Sequence, residues 1–178
     1  MADPTPRATQ QLLSADEIAE RVEALAASIA PRLDEQTIGV CLLTGGIWFA
    51  ADLTRALYRA GKDLAFDALW LGSYGDATHS QGLVEVRAGL QRPVKGRTVL
   101  IIDDVFDTGL SLQAAVDIVR AAGARLVLTA VFARKPWPKP RRLEPDFVAW
   151  EAPARFLVGY GLDEAGRRRG FPGIAALD

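Results

Sequence analysis

Apolar positions along this chain alternate between two periods. Ile18, Val22, Leu25 and Ile29 recur at intervals of three and four behind Ser14-Ala-Asp-Glu17, which has capping-box spacing, and predict an amphipathic helix that stops at Pro31. Ile38 to Leu43, IGVCLL, is instead continuously apolar, as a strand buried on both faces requires. It runs through Thr44-Gly45-Gly46 into a second helical pattern from Trp48 to Ala60, closed by Gly61. Phe66 to Leu71 and Val84 to Val86 are further strand candidates, and Val99 to Ile102 is an uninterrupted apolar segment after Gly96. A helix from Leu112 to Ala122 places Leu112, Ala115, Val116 and Val119 on one face and ends at Gly123, and Val127 to Phe132 then reads as another buried strand. Strands alternating with helices predict an α/β protein with a doubly wound, mostly parallel sheet.

Composition narrows the class. The 178 residues, 49% hydrophobic and 24% charged, suit one globular domain with a sizeable core. A formal charge of −1 leaves no electrostatic footprint for nucleic acid, so none is expected as a partner. Cys41 is the sole cysteine and lies in an apolar run, which excludes an internal disulfide and fits a reducing cytoplasm. No apolar run reaches the roughly 18 to 20 residues that cross a bilayer, and no signal-peptide stretch opens the chain, so a cytoplasmic protein without a membrane partner is expected. Met1 to Gln11, with two prolines, should be poorly ordered unless a partner holds it.

Candidate chemistry concentrates in Val99 to Ser111, VLIIDDVFDTGLS. The apolar strand ends in Asp103 and Asp104, followed by Asp107, Thr108, Gly109, Leu110 and Ser111, a tight loop opening onto a helix. In open α/β sheets the carboxyl ends of the strands are where ligands bind, and the N–H groups of such a loop form an anion cradle. Adjacent acids on an extended strand point to opposite sides, unless the strand has ended and both turn toward one ligand. Carboxylates beside a phosphate cradle imply a ligand with hydroxyls, phosphate and a divalent cation, since the acids would otherwise repel it. The plainer alternative is an acidic loop with Asp107 as a helix N-cap.

This stretch resembles the phosphoribosyl-pyrophosphate (PRPP) motif of the type I phosphoribosyltransferases. The resemblance implies that Asp103 and Asp104 bind the ribose hydroxyls and that Thr108, Gly109, Leu110 and Ser111 hold the 5′-phosphate. A receiver domain also ends a strand in paired aspartates, but there it is the first strand, whereas here the acids come late. Thr44 and Gly45 match the family's pyrophosphate loop; in purine-salvage members that loop reads Leu-Lys-Gly-Gly, so Thr44 stands where a lysine is usual. Ser73 and Tyr74 match the Ser-Tyr pair that begins a flexible lid, and Asp76 to Gly82 is small and polar as a mobile loop requires. His79, in the same loop, has no nearby Cys or His and reads as solvated.

Past the last buried strand, Arg134-Lys135-Pro136 resembles the purine-contacting turn of hypoxanthine-guanine phosphoribosyltransferases. An ammonium is donor only, so Lys135 suits a 6-oxo group and not a 6-amino group. Pro145 to Asp163 resembles the C-terminal hood of the same enzymes, which implies that Phe156 stacks on the base, that Leu157 offers backbone groups to its edge, and that Asp163 lies near base and metal. Arg169 aligns with a pyrophosphate-binding arginine, although Arg167-Arg-Arg also reads as a solvated tail. Residues 1–37 are then an N-terminal tail and helix, and 38–178 the phosphoribosyltransferase domain with its hood.

The resemblance implies transfer of the 5-phosphoribosyl group from PRPP to hypoxanthine or guanine, with release of pyrophosphate. Mg2+ would be held at Asp103, Asp104 and Asp163, and Asp107 would act at purine N7 as a general base or as a hydrogen-bond acceptor. A homodimer or homotetramer is expected from the same source. Two alternatives stay open: a PRPP-sensing regulator, and an enzyme for xanthine or another base, the latter because of Thr44 and of Trp70 near the lid.

Overall fold

The computed structural model describes residues 9–73 and 84–177. Six strands form the main sheet in the order β4 (Val84–Ala88), β3 (Ala65–Ser73), β2 (Ile38–Leu43), β5 (Thr98–Phe106), β6 (Leu126–Arg134) and β7 (Phe147–Glu151). All neighbours run parallel except β3 and β4. Side-chain alternation sorts the core onto two faces. Cys41, Leu100, Ile102, Leu128, Ala130 and Phe132 pack under α1 (Ala15–Ile29) and α2 (Ile47–Arg59), while Ile38, Val40, Val99, Ile101 and Val131 pack under α3 (Leu110–Ala121). Helices on both faces explain why these strands read as unbroken apolar runs, and the expected doubly wound sheet is what forms.

The capping box at Ser14 is present, with Glu17 N–H donating to the Ser14 side chain and Ser14 N–H donating to the Glu17 carboxylate at 2.8 Å. The helix gives way to a single turn at Ala30–Arg32, where Pro31 lacks the N–H needed to continue it. Thr9–Gln11, expected to be poorly ordered without a partner, find one within the chain. They belong to β1 (Thr9–Leu13), which pairs antiparallel with β9 (Ile174–Leu177), and β9 pairs in turn with β8 (Phe156–Val158). This three-stranded sheet contains Phe156–Val158 of the expected hood.

Two boundaries differ from expectation. Pro145–Asp163 is not hood throughout, because Phe147–Glu151 forms the edge strand of the main sheet; the Asp146 carboxylate fixes it there by accepting from the Thr129 N–H and hydroxyl, each at 2.8 Å. The central strand also runs past Ile102 to Phe106. Its ladder with β6 continues through Asp103–Val131 and Phe106–Arg134, whereas its ladder with β2 ends at Cys41–Ile102. Beyond that pair the sheet opens between β2 and β5. This is also where strand order reverses, since the chain leaves β2 toward β3 and β4 and then resumes on the other side with β5. Among the described residues no helix is long and apolar enough to cross a membrane.

Candidate active site

Opening the ladder exposes a cleft of about 500 Å³, lined by Leu43 and Gly45 from β2 and its loop, Asp103 to Leu112, and Asp163 and Arg169 from beyond the hood strand β8. Asp103 and Asp104 stand in β5 itself. Asp103 accepts the Asp104 N–H at 3.1 Å and Asp104 accepts the Val105 N–H at 2.9 Å, so both carboxylates bend along the strand instead of splaying to opposite faces. Burial, and then the adjacent Asp104 charge, push Asp103 well above the ordinary carboxylate range. Burial raises Asp104 as well, against hydrogen bonds and the positive charge of Arg169. Two adjacent carboxylates of this kind could hold a divalent cation. The same burial, with the two acids nearby, pushes the Cys41 thiol up to about 12, which leaves it unreactive.

The turn expected to cradle phosphate follows directly. Gly109 is the N-cap of α3, with φ 81°, and no side chain caps the helix. A Cβ at Gly109 would meet the Phe106 ring at 2.9 Å, so the turn requires both the conformation and the absence of a side chain. The first intrahelical bond is Gln113 N–H to Gly109 O, which leaves the N–H groups of Leu110, Ser111 and Leu112 facing the cleft end of the helix. Thr108 Oγ1 lies 3.4 Å from the Leu110 N–H. Asp107 is therefore not the N-cap, and its carboxylate remains about half exposed in the cleft.

Gly45 is the tightest point of the cleft wall. A Cβ there would fall 1.9 Å from Asp104 Oδ2, and a Cβ at Gly161 would fall 2.1 Å from Gly45 O. Backbone from the β2 loop is thus sandwiched between the acid pair and the hood segment. Arg169 locks the hood side, with Nη1 donating to Gly161 O at 2.5 Å and Nη2 to Asp163 Oδ1 at 2.7 Å. Tyr160 anchors the same segment to α2 by donating its hydroxyl to Asp52 at 3.0 Å. Gly45→Ala is expected to displace the Asp104 carboxylate and raise the KM of the substrate that fills this cleft by about tenfold or more, as a shift near 1 Å at a reacting centre does; steady-state kinetics with circular dichroism as a folding control checks it.

Residues 8–165 match the phosphoribosyl transferase domain. The chain belongs to this family. The hypoxanthine-guanine phosphoribosyltransferase of Bacillus subtilis is 35% identical over 167 residues, covering 93% of this chain and 91% of that protein. Its counterpart from Aquifex aeolicus is 33% identical over 169 residues, covering 94% and 93%. Among solved structures, the hypoxanthine phosphoribosyl transferase of Trypanosoma cruzi superimposes with a TM-score of 0.88 at 27% identity, over 99% of this chain and 95% of that one. The hypoxanthine phosphoribosyltransferase of Staphylococcus aureus gives 0.87 at 26% identity, over 95% and 91%.

In this phosphoribosyltransferase, β6 ends at Arg134 and delivers Lys135 beside Asp107, with Nζ 3.9 Å from Oδ2. Lys135 N–H donates to Phe106 O at 2.9 Å, so the two loops leave the sheet in register. Arg141, which the sequence analysis does not single out, is only 8% exposed and lies between those loops. Its Nε donates to Asp107 O at 2.8 Å, its Nη2 to Lys135 O at 2.5 Å, and its guanidinium sits 4.4 Å from the Phe106 ring centre. The one local hint was a proline-rich approach, Pro136 to Pro140, stiff enough to aim the arginine back.

Other expected residues stand apart from the cleft wall. Phe156 is half exposed on β8 and Leu157 is buried there opposite Ala176; neither lines the cleft. Thr44 is exposed on the loop that carries Gly45, and its carbonyl accepts the Ile47 N–H at 3.3 Å. Asp163 does not join the acid pair in a three-carboxylate cluster. Among the described residues no group of three metal-binding side chains occurs, and the Asp163 carboxylate is committed to Arg169 and to the Gly166 N–H at 2.6 Å. Ser73 ends β3, while Tyr74 and His79 lie outside the described residues.

Proposed function

We propose that this phosphoribosyltransferase moves the 5-phosphoribosyl group of PRPP onto N9 of a 6-oxopurine, hypoxanthine or guanine, releasing pyrophosphate in purine salvage. The observation that carries this reading is the pairing of Lys135 with Asp107, which lines the cleft. O6 and N7 are neighbours on one edge of a 6-oxopurine. An ammonium beside a carboxylate offers a donor to O6 and an acceptor to an N7 proton. Adenine would set its amino group against the ammonium, donor against donor.

The remaining roles rest on the cleft wall together with the family resemblance. The N–H groups at the start of α3 receive the 5′-phosphate, and Thr108 and Ser111 add hydroxyls. Asp103 and Asp104 accept from the ribose hydroxyls and hold the anomeric carbon at a fixed distance from the base. The Gly45 loop and Arg169 take the pyrophosphate end, with Thr44 supplying a hydroxyl where a lysine is usual. Asp103 and Asp104 are also the residues that would hold a divalent ion, Mg2+ in this proposal, which supplies charge neutralisation to the leaving pyrophosphate. In this reading Asp163 serves the ion indirectly, by holding Arg169. Asp107 takes or holds the N7 proton as N9 attacks. Phe156 stacks on the base, an orienting contact worth roughly 1 to 3 kcal/mol, and Leu157 lends backbone groups to its edge. Ser73 and Tyr74 begin the lid.

A homodimer or homotetramer belongs to the same proposal; Ile47 and Phe66, both more than 40% exposed, flank an apolar hollow at the α2–β3 edge that a second copy would cover. So does a cytoplasmic location, which the buried, unpaired Cys41 suits.

Pyrophosphate release from PRPP and Mg2+ with hypoxanthine, guanine, xanthine, adenine and uracil offered separately tests the reading. Release with hypoxanthine or guanine, together with the mononucleotide, is the expected result; release with xanthine or adenine alone would reassign the acceptor, and binding of PRPP without release would favour a sensor. Lys135→Ala should raise the purine KM by about 10- to 100-fold, the cost of a lost charged hydrogen bond, and leave the PRPP KM near its starting value. An unchanged purine KM would remove Lys135 from base selection.

A further inference from the structure

We infer that Arg141 is a positioning residue that sets the separation and facing of Asp107 and Lys135, and through them the match to the O6–N7 edge of the base. The inference rests on the proposed reaction. It starts from where the sheet stops. β5 ends at Phe106 and β6 at Arg134, and the last backbone bond between their extensions is Lys135 N–H to Phe106 O. One residue beyond each strand stand the two side chains that would read the purine edge, and past the Lys135 N–H no backbone bond among the described residues joins their loops. Arg141 supplies the join. Its Nε and Nη2 donate to Asp107 O and Lys135 O, so one rigid plane bridges the two carbonyls.

Three further contacts hold that plane in place. Phe106 lies beneath the guanidinium, Glu144 accepts from Nη1 at 3.4 Å, and Glu144 is itself held by Arg134 at 3.3 Å. Arg134 is paired with Glu151 at the end of β7, so the bridge is braced against the sheet edge. With 8% of its side chain exposed, Arg141 presents little surface to substrate, and Nε, Nη1 and Nη2 each donate to the chain. It therefore acts through Asp107 and Lys135. A lysine could keep the charge, but a single ammonium nitrogen cannot place two in-plane donors on two carbonyls in the same geometry.

The test uses the full chain, with R141K, R141Q and E144Q, in the pyrophosphate-release assay and by direct titration of PRPP. Wild-type protein is assayed first: silence with both hypoxanthine and guanine is failure of the proposed reaction, not of the bridge. With wild type active, R141K and R141Q are expected to lower kcat/KM for the purine by about 10- to 100-fold, as a displacement near 1 Å does, while the Kd for PRPP stays within about twofold. Preference for hypoxanthine over adenine should shrink in step. E144Q, which leaves both carbonyl bonds in place, should keep near-wild-type purine kinetics. Wild-type purine kinetics in R141K, an equal loss in PRPP and purine binding, E144Q matching R141K, or failure of both Arg141 variants to fold would each overturn the assignment, the last two by showing a purely structural role.

Discussion

Asp107→Asn lowers turnover by about 10²- to 10⁴-fold, the usual contribution of a positioned proton acceptor, and leaves PRPP binding close to wild type. The asparagine keeps the shape and the main chain, so the Arg141 bond to the residue-107 carbonyl and the α3 phosphate cradle are retained. What is lost is the negative charge. A neutral amide cannot take the N7 proton, and it presents its NH2 or its oxygen according to rotamer, where the carboxylate presents acceptors only. Folding should change little. The Lys135 ion pair is long at 3.9 Å and Asp107 is 45% exposed, so its loss costs at most about 1 kcal/mol. Separate measurement of kcat, the purine KM and the PRPP Kd checks this; unchanged kcat would take Asp107 out of the chemistry and leave it as a hydrogen-bond partner of the base.

Asp103→Asn is expected to abolish most activity and at the same time to stabilise the ligand-free protein by about 0.5 to 2 kcal/mol, as changes at a strained functional site commonly do. Both effects have one origin. Asp103 and Asp104 are consecutive in β5, Asp103 is buried and Asp104 partly so, and each carboxylate accepts from the next residue's N–H group. Two carboxylates in that position repel each other and lose water, a cost that a cation and ribose hydroxyls offset only when substrate is bound. The substitution removes one charge from the pair and keeps its volume. It also removes the acceptor that orients the ribose. Melting in the presence of a chelator should show a higher Tm than wild type, while the same variant turns over at a small fraction of the wild-type rate. A lower Tm would mean that the Asp103 carboxylate serves the fold.

Much of the candidate site was legible because it is contiguous. Asp103 to Ser111 passes without interruption from strand to turn to helix, so one short stretch carries the acids, the turn proposed to hold phosphate and the proposed proton acceptor, and a strand-then-glycine pattern marks the place. The Gly45 loop was legible for the same reason. Its neighbours were not: that Gly45 presses on Asp104 and on Gly161 depends on where the loop after β8 lands. β1 escaped notice because TQQLL buries only Leu13 and so has no apolar period, and Phe147–Glu151 was assigned to the hood because its partly buried residues do not distinguish an edge strand from a covering flap.

Local hydrogen-bond geometry and burial act on neighbouring residues, and on those scales the chain alone determined its alternating strands and helices, the doubly wound sheet, the acid pair and the glycine turn into α3. Three features were decided only by the tertiary structure. The sheet opens past Cys41–Ile102 because β5 keeps its ladder with β6 but not with β2; Asp163 is drawn to Arg169 and away from the acid pair; and Arg141 reaches back 34 residues to Asp107. Each depends on a side chain or strand meeting a partner brought near by other elements, and no spacing within the sequence encodes where those elements come to rest.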